Sequence, residues 1–85
     1  MEIRFIPAAI ADLATLNPST IRRLVKRIAW LANNFNSISP ERLIGEFSQL
    51  YKFRVGDYRI LYQVLENEDA LLIHQIGHRR DVYRH

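Results

Sequence analysis

The chain has 85 residues, of which 48% are hydrophobic, with one Trp, four Tyr and four Phe, enough apolar surface for one small folded domain and too much for a disordered segment. Twelve Lys and Arg against nine Asp and Glu give a formal charge of +3 and a pI near 9.7, which suits a polyanionic partner without requiring one. The absence of cysteine excludes disulfides and thiolate metal sites, and with no apolar run near the ~20 residues needed to cross a bilayer, neither export nor membrane contact is expected and the cytoplasm is the expected compartment.

Charge is not segregated along the chain. Residues 1–49 hold six Lys and Arg against four acids, and residues 50–85 hold six against five, so any signal lies in placement. A core this small would gain from a partner or a dimer mate.

Glu2 to Ile6 alternate polar and apolar, which predicts a first strand stopped by Pro7. Pro7 suits a first helical position, and Ile10, Leu13 and Leu16 recur near helical spacing behind it. Asn17-Pro18 then restarts a helix with a capping residue followed by proline. Its apolar positions Ile21, Leu24, Val25, Ile28, Ala32 and Phe35 predict about 18 residues of helix packed on one side. Arg22, Arg23, Lys26 and Arg27 read as a solvated face, and Trp30, beside the stripe, reads as core packing at the helix edge or as a partner contact. Asn33 to Glu46, rich in Asn, Ser, Pro and Gly, reads as a loop. Three strands follow at 48–55, 58–65 and 70–78, with Glu66-Asn67-Glu68-Asp69 as a polar turn. The consecutive apolar residues Ala70-Leu71-Leu72-Ile73 predict a strand covered on both faces. The order βααβββ predicts a single α+β domain over residues 1–85, two helices on one face of a small, mainly antiparallel sheet.

The hairpin Tyr51 to Tyr62 carries the densest chemistry. With Gly56-Asp57 as a two-residue turn, of type II′ because glycine leads, Val55 faces Tyr58, Arg54 faces Arg59 and Lys52 faces Leu61. Alternation then turns Tyr51, Phe53, Val55, Tyr58, Ile60, Tyr62 and Val64 toward the helices and leaves Lys52, Arg54, Arg59 and Leu61 on the other face. Directly opposed arginines repel, so the pair gains sense from an anion between them, phosphate above all, or from nearby carboxylates such as Asp57 or Asp81. Gly77-His78-Arg79-Arg80-Asp81-Val82-Tyr83 adds cations, a histidine suited to proton transfer and a tyrosine suited to base stacking where the last strand ends. Alternatively Val82 and Tyr83 dock the tail and His78 is a surface histidine. His74 and His78 find no third ligand for a metal, and no phosphate loop, nucleophile elbow or HExxH motif is present.

These two segments, Leu50-Tyr51-Lys52-Phe53-Arg54-Val55-Gly56-Asp57-Tyr58-Arg59-Ile60-Leu61-Tyr62 and Gly77-His78-Arg79-Arg80-Asp81-Val82-Tyr83, resemble the RelE/ParE superfamily of toxins from type II toxin–antitoxin systems, and within it the RelE-like mRNA interferases. The resemblance spans nearly the whole chain and implies a microbial-ribonuclease-like fold. It implies ribosome-dependent cleavage of mRNA in the A site, in which the 2′-hydroxyl attacks the adjacent phosphate and a cyclic phosphate results, without a metal or other cofactor. By the same resemblance Lys52 is the proton acceptor, Arg54 and Arg59 stabilise charge, Arg79 stabilises charge or donates a proton, and Tyr83 stacks on the scissile nucleotide. Since arginine gives up protons reluctantly, His78 is a further acid-base candidate. The chain departs from the best-studied pattern with Arg54 where lysine is frequent and with a shorter Arg79 to Tyr83 spacing.

The implied partners are a RelB-like antitoxin, mRNA and the ribosomal A site, with operator DNA reached only through the antitoxin. A homodimer or a heterotetramer with the antitoxin is the implied assembly, and the exposed sides of the two helices are the expected antitoxin ground. Two other readings stand beside this one: a ParE-like inhibitor of DNA gyrase without nuclease activity, and an inactive member that survives as a binding or repressor protein.

Overall fold

A computed structural model of the chain describes residues 1–45 and 48–80. The first strand, β1, runs Glu2–Phe5 and stops before Pro7, which opens helix α1, Pro7–Ala14. Proline there loses nothing, because the first amides of a helix have no partner inside it. Helix α2, Pro18–Asn34, starts as its sequence predicts, with Asn17 Oδ1 accepting the Thr20 amide at 2.9 Å and proline at the first turn. A short 3-10 turn, Phe35–Ser37, continues from it.

Two corrections concern the helices. The buried stripe of α2 is Leu24, Ile28, Leu31 and Ala32, whereas Val25 is 44% exposed. Spacings of four, three and one turn the inward face away from Val25 and toward Leu31, a residue the sequence reading left out of the stripe. In α1 the buried residue is Ala9, and Ile10 points outward.

The segment 33–46 is not all loop. Glu41–Arg42 forms a two-residue strand, β2, antiparallel to β3, Tyr51–Val55, which itself begins later than residue 48. Strand β4 runs Tyr58–Leu65, and β5 runs Ala70–His78 after a 3-10 turn at Glu66–Glu68. Asp69 closes that turn with φ of 50°, a left-handed conformation that aspartate tolerates better than most residues.

The sheet order is β1-β5-β4-β3-β2. Both helices follow β1 at one edge, and the antiparallel strands β2 to β5 return the chain to it, which makes β1 and β5 parallel neighbours. Ala9, Leu24, Ile28, Leu31 and Ala32 from the helices close over Val55, Ile60, Tyr62, Leu71, Ile73 and Ile76 from the sheet. The helices therefore cover one face of a mixed five-stranded sheet. The other face carries long polar side chains together with the fully buried Leu61.

A bulge in β5 tunes that division. Leu61 pairs with Gln75 and Tyr62 with Ile73, so His74 is an extra residue and the alternation shifts by one. Leu71, Ile73 and Ile76 thus all point into the core, while Gln75 turns to the open face beside Leu61. Of the apolar run at 70–73, Leu72 is only half-buried, opposite Gln63 and Arg4.

Candidate functional site

The hairpin forms in the predicted register. Val55 pairs with Tyr58, Arg54 with Arg59 and Lys52 with Leu61. Gly56 has φ of 59° while Asp57 has a negative φ, the pattern of a type II′ turn. Two rows of side chains then cross the open face. The first runs Glu41, Lys52, Leu61, Gln75 and the second Arg54, Arg59, Gly77, with partners in a row about 5 Å apart at Cβ. Gly77 has no side chain, which leaves room opposite Arg59.

Each cation has a definite resting partner. Lys52 Nζ lies 3.0 Å from Glu41 Oε2, and the Arg54 guanidinium reaches the same oxygen at 3.3 Å. Arg59 bends back to the turn, where its Nη1 donates to the Gly56 and Tyr58 carbonyls, both at 3.1 Å. The two opposed guanidiniums are thereby directed to different acceptors, which relieves the repulsion expected from their register. Arg79 donates its backbone N–H to the Asp57 carbonyl at 2.7 Å and holds its side chain 4.0 Å from the Asp57 carboxylate. That bond fastens the end of β5 to the hairpin turn. The Glu41 carboxyl is held below its usual range, chiefly by the hydrogen bond from Lys52, with the charges of Lys52 and Arg54 adding to it.

The structure therefore brings Lys52, Arg54 and Arg59 onto one face and places Arg79 beside their turn. His78 pairs with Tyr58, on the helix-facing side of the hairpin, and their rings meet edge to face at 5.9 Å. Tyr83 lies outside the described residues, as do Asp81 and Val82. His74 bonds Gln63 at 3.1 Å, and among the described residues no three His, Asp or Glu side chains converge as a metal site would require.

Two site residues escape the sequence reading. Glu41 sits on a strand too short to leave an alternation signal, and only Pro40 before it marks the end of the loop. Gln75 falls on the wrong face by strict alternation, and only the bulge at His74 puts it in the row with Lys52. Its Oε1 is buried with no hydrogen-bond partner among the described residues, in the row that also holds the buried Leu61.

Behind the hairpin lie two aromatic stacks. Tyr51 stacks on the buried Tyr62 at 5.6 Å, with the Arg42 guanidinium 4.9 Å from the Tyr51 ring centre and donating to its hydroxyl at 2.6 Å. Burial, with a smaller contribution from Tyr51, pushes the Tyr62 phenol up to about 12. Trp30, left 40% exposed at the helix edge, stacks on Phe53.

Known proteins resemble the chain over most of its length. The family model described as the ParE toxin of the type II toxin–antitoxin system parDE matches residues 3–83. The toxin RelG of Mycobacterium tuberculosis is 30% identical over an 88-residue alignment that covers 96% of this chain and 94% of RelG. Among solved structures, the RelBE2 toxin–antitoxin complex of M. tuberculosis contains a chain that superposes with a TM-score of 0.81 at 25% identity, covering 92% of this chain and 96% of that one. The isolated RelE toxin of E. coli superposes at 0.74 with 20% identity, over 91% and 82% of the two chains, a likeness of fold. The chain belongs to the ParE toxin family of type II toxin–antitoxin systems, within the RelE/ParE superfamily.

Proposed function

We propose that this toxin is a metal-independent endoribonuclease of the RelE type, cutting mRNA in the ribosomal A site. The observation that carries the reading is the convergence of Lys52, Arg54 and Arg59 on one sheet face, with Arg79 fastened beside their turn. Attack of a 2′-hydroxyl on the adjacent phosphate needs a proton acceptor, stabilisation for charge growing on the phosphorane, and a donor for the departing 5′-oxygen. Lys52 accepts the proton, and Arg54 and Arg59 bracket the phosphate with guanidinium forks. Arg79 adds charge or the final proton and Tyr83 stacks on the nucleotide, whereas His78, with its ring against Tyr58 on the helix-facing side, would have to swing round the strand end to act as the donor.

Glu41 gives this site a resting state. A phosphate entering the face must draw Lys52 and Arg54 away from one shared carboxylate, and the charge exchanged is similar in kind.

The neighbouring RelBE structure is of a toxin with its antitoxin, and a RelB-like antitoxin is the partner proposed for this chain, with operator DNA bound through that antitoxin alone. Purified toxin added to translating ribosomes should produce cuts within A-site codons. Lys52→Ala should lower the rate by roughly 10²- to 10⁴-fold, the range for losing a general base. Unchanged cutting by Lys52→Ala and by Arg79→Ala would remove the assignment.

The family model's own description favours a second reading, inhibition of DNA gyrase in the manner of ParE. A supercoiling assay with and without the toxin separates the two. Gyrase inhibition with intact mRNA would replace the nuclease reading.

A further inference from the structure

We propose that the groove between the second half of α2 and the open edge of β3 is a base-stacking subsite for single-stranded RNA, with Trp30 and Arg27 as its platform. The choice of RNA rests on the nuclease reading above; the stacking platform rests on geometry alone.

Strand β2 pairs only with Tyr51 and Lys52, so among the described residues the outer edge of β3 has no strand beside it from Phe53 onward. A groove of about 320 Å³ follows that edge, lined among others by Arg27, Trp30, Pro40, Lys52, Phe53 and Arg54. That size is at the lower end for small-ligand sites. Because side chains alternate along a strand, Phe53 lies on the helix side of the edge and Lys52 and Arg54 on the other. The groove therefore joins an aromatic wall to a cationic one around a single strand.

The aromatic wall is built for a planar guest. The Trp30 and Phe53 rings are nearly parallel, 9° apart with centres 6.3 Å from each other. The Arg27 guanidinium lies 4.7 Å from the Trp30 ring centre and 5.6 Å from that of Phe53. Trp30 keeps 40% of its surface exposed, so one side of this platform is open to a guest. Bases stack on aromatic rings and on guanidinium planes alike, with little regard to sequence. Arg27, Lys52 and Arg54 outnumber Glu41 in the lining, which suits a phosphate chain. A nucleotide across the edge puts its base against Trp30 and Arg27 and its phosphate toward Arg54, leading the strand to the face that holds Arg59.

Trp30 is the only tryptophan, so its fluorescence reports on this groove alone. The toxin is titrated with a short single-stranded RNA whose 2′-O-methyl sugars prevent self-attack, and with an abasic oligomer of equal length. The RNA should quench Trp30 and the abasic chain should not. Trp30→Ala should weaken RNA binding by about 5- to 150-fold, read by anisotropy of a labelled strand, and Trp30→Phe should restore most of it. Equal quenching by the abasic oligomer, or unchanged affinity in a Trp30→Ala variant with native circular dichroism, overturns the subsite. If Trp30→Ala does not fold, the comparison of the two oligomers on the unmodified toxin decides. Quenching by an acidic peptide with none by RNA also overturns it and gives the groove to a protein partner. Base-dependent quenching without ribosomal cutting keeps the subsite and removes the nuclease reading, whereas cutting without base-dependent quenching does the reverse.

Discussion

Glu41 and Lys52 are register partners across the β2–β3 pair, and the carboxylate oxygen 3.0 Å from Lys52 Nζ is the same one that lies 3.3 Å from Arg54. One acid thus occupies two of the cations that the open face presents to a phosphate. The Glu41 carboxylate is half-exposed although Lys52 is not, so solvent screens the contact, its value to folding is small, and its consequence is competition with anions.

Glu41→Gln should therefore tighten binding of single-stranded RNA by about 2- to 5-fold at low ionic strength, the worth of one exposed ion pair. Added salt should erase more of the variant's affinity than of the unmodified toxin's, since two more cations meet phosphate. Folding stability should stay within about 0.5 kcal/mol. Anisotropy titrations at several salt concentrations measure all of this, and equal affinities would mean that Glu41 does not hold the cations in solution.

Gly56 sets the alignment of Arg54 with Arg59. At φ of 59° any side chain crowds its own carbonyl, and a Cβ there would sit 3.5 Å from the Arg23 guanidinium, an ordinary contact. The strain is therefore in the backbone, and Gly56→Ala should cost about 1–2 kcal/mol. Urea unfolding should show a lower midpoint with an unchanged slope. An unaltered midpoint would mean that the turn relaxes to another type, and cutting activity would then report whether the arginine pair survives the change.

The hairpin was legible because its signals are local: glycine leads the turn, and strict alternation assigns every side chain from Tyr51 to Val64. The helix start at Asn17-Pro18 was legible for the same reason. Glu41 was not, because a two-residue strand is defined by its neighbour's edge and not by its own pattern. Gln75 was not, because alternation carried forward from Leu71 and Ile73 cannot register the extra residue at His74. Val25 was misplaced by one step of helix phase, which only packing against the sheet decides. The cations were found from sequence, but their resting partners were not. Asp57 was named as an acceptor and does approach Arg79, whereas the acid that engages Lys52 and Arg54 comes from the segment read as a loop.

Asp12 closes a gap in the β1–β5 ladder. Strand pairing there ends with Phe5 beside Ile73, and further along β5 the Ile76 amide donates instead to Asp12 Oδ2 at 2.9 Å. Removing the acceptor leaves a partly buried N–H unpaired, so Asp12→Ala should lose about 1–3 kcal/mol. Asp12→Asn keeps an acceptor oxygen and should recover most of that. Hydrogen exchange at Ile76 should quicken in the alanine variant while Leu71, deeper in the sheet, stays protected. Equal exchange at Ile76 in both proteins would show that water replaces the carboxylate at no cost.

His74, the extra residue of the β5 bulge, gives the fold a dependence on pH. Burial disfavours its charged form and holds its pKa below the ordinary 6.5, with Nε2 3.1 Å from Gln63 Oε1. The unfolded chain takes up the proton more readily than the native one, so falling pH favours unfolding. The stability from a neutral His74 is complete above the unfolded value, declines as pH drops through it toward the lower folded value, and levels off beneath that. Urea midpoints between about pH 8 and pH 5 should fall along this course. In His74→Gln, which keeps a polar group beside Gln63, the same titration should be flatter through this window. An equal slope in both proteins would assign the dependence to other groups and leave the bulge histidine as a packing residue.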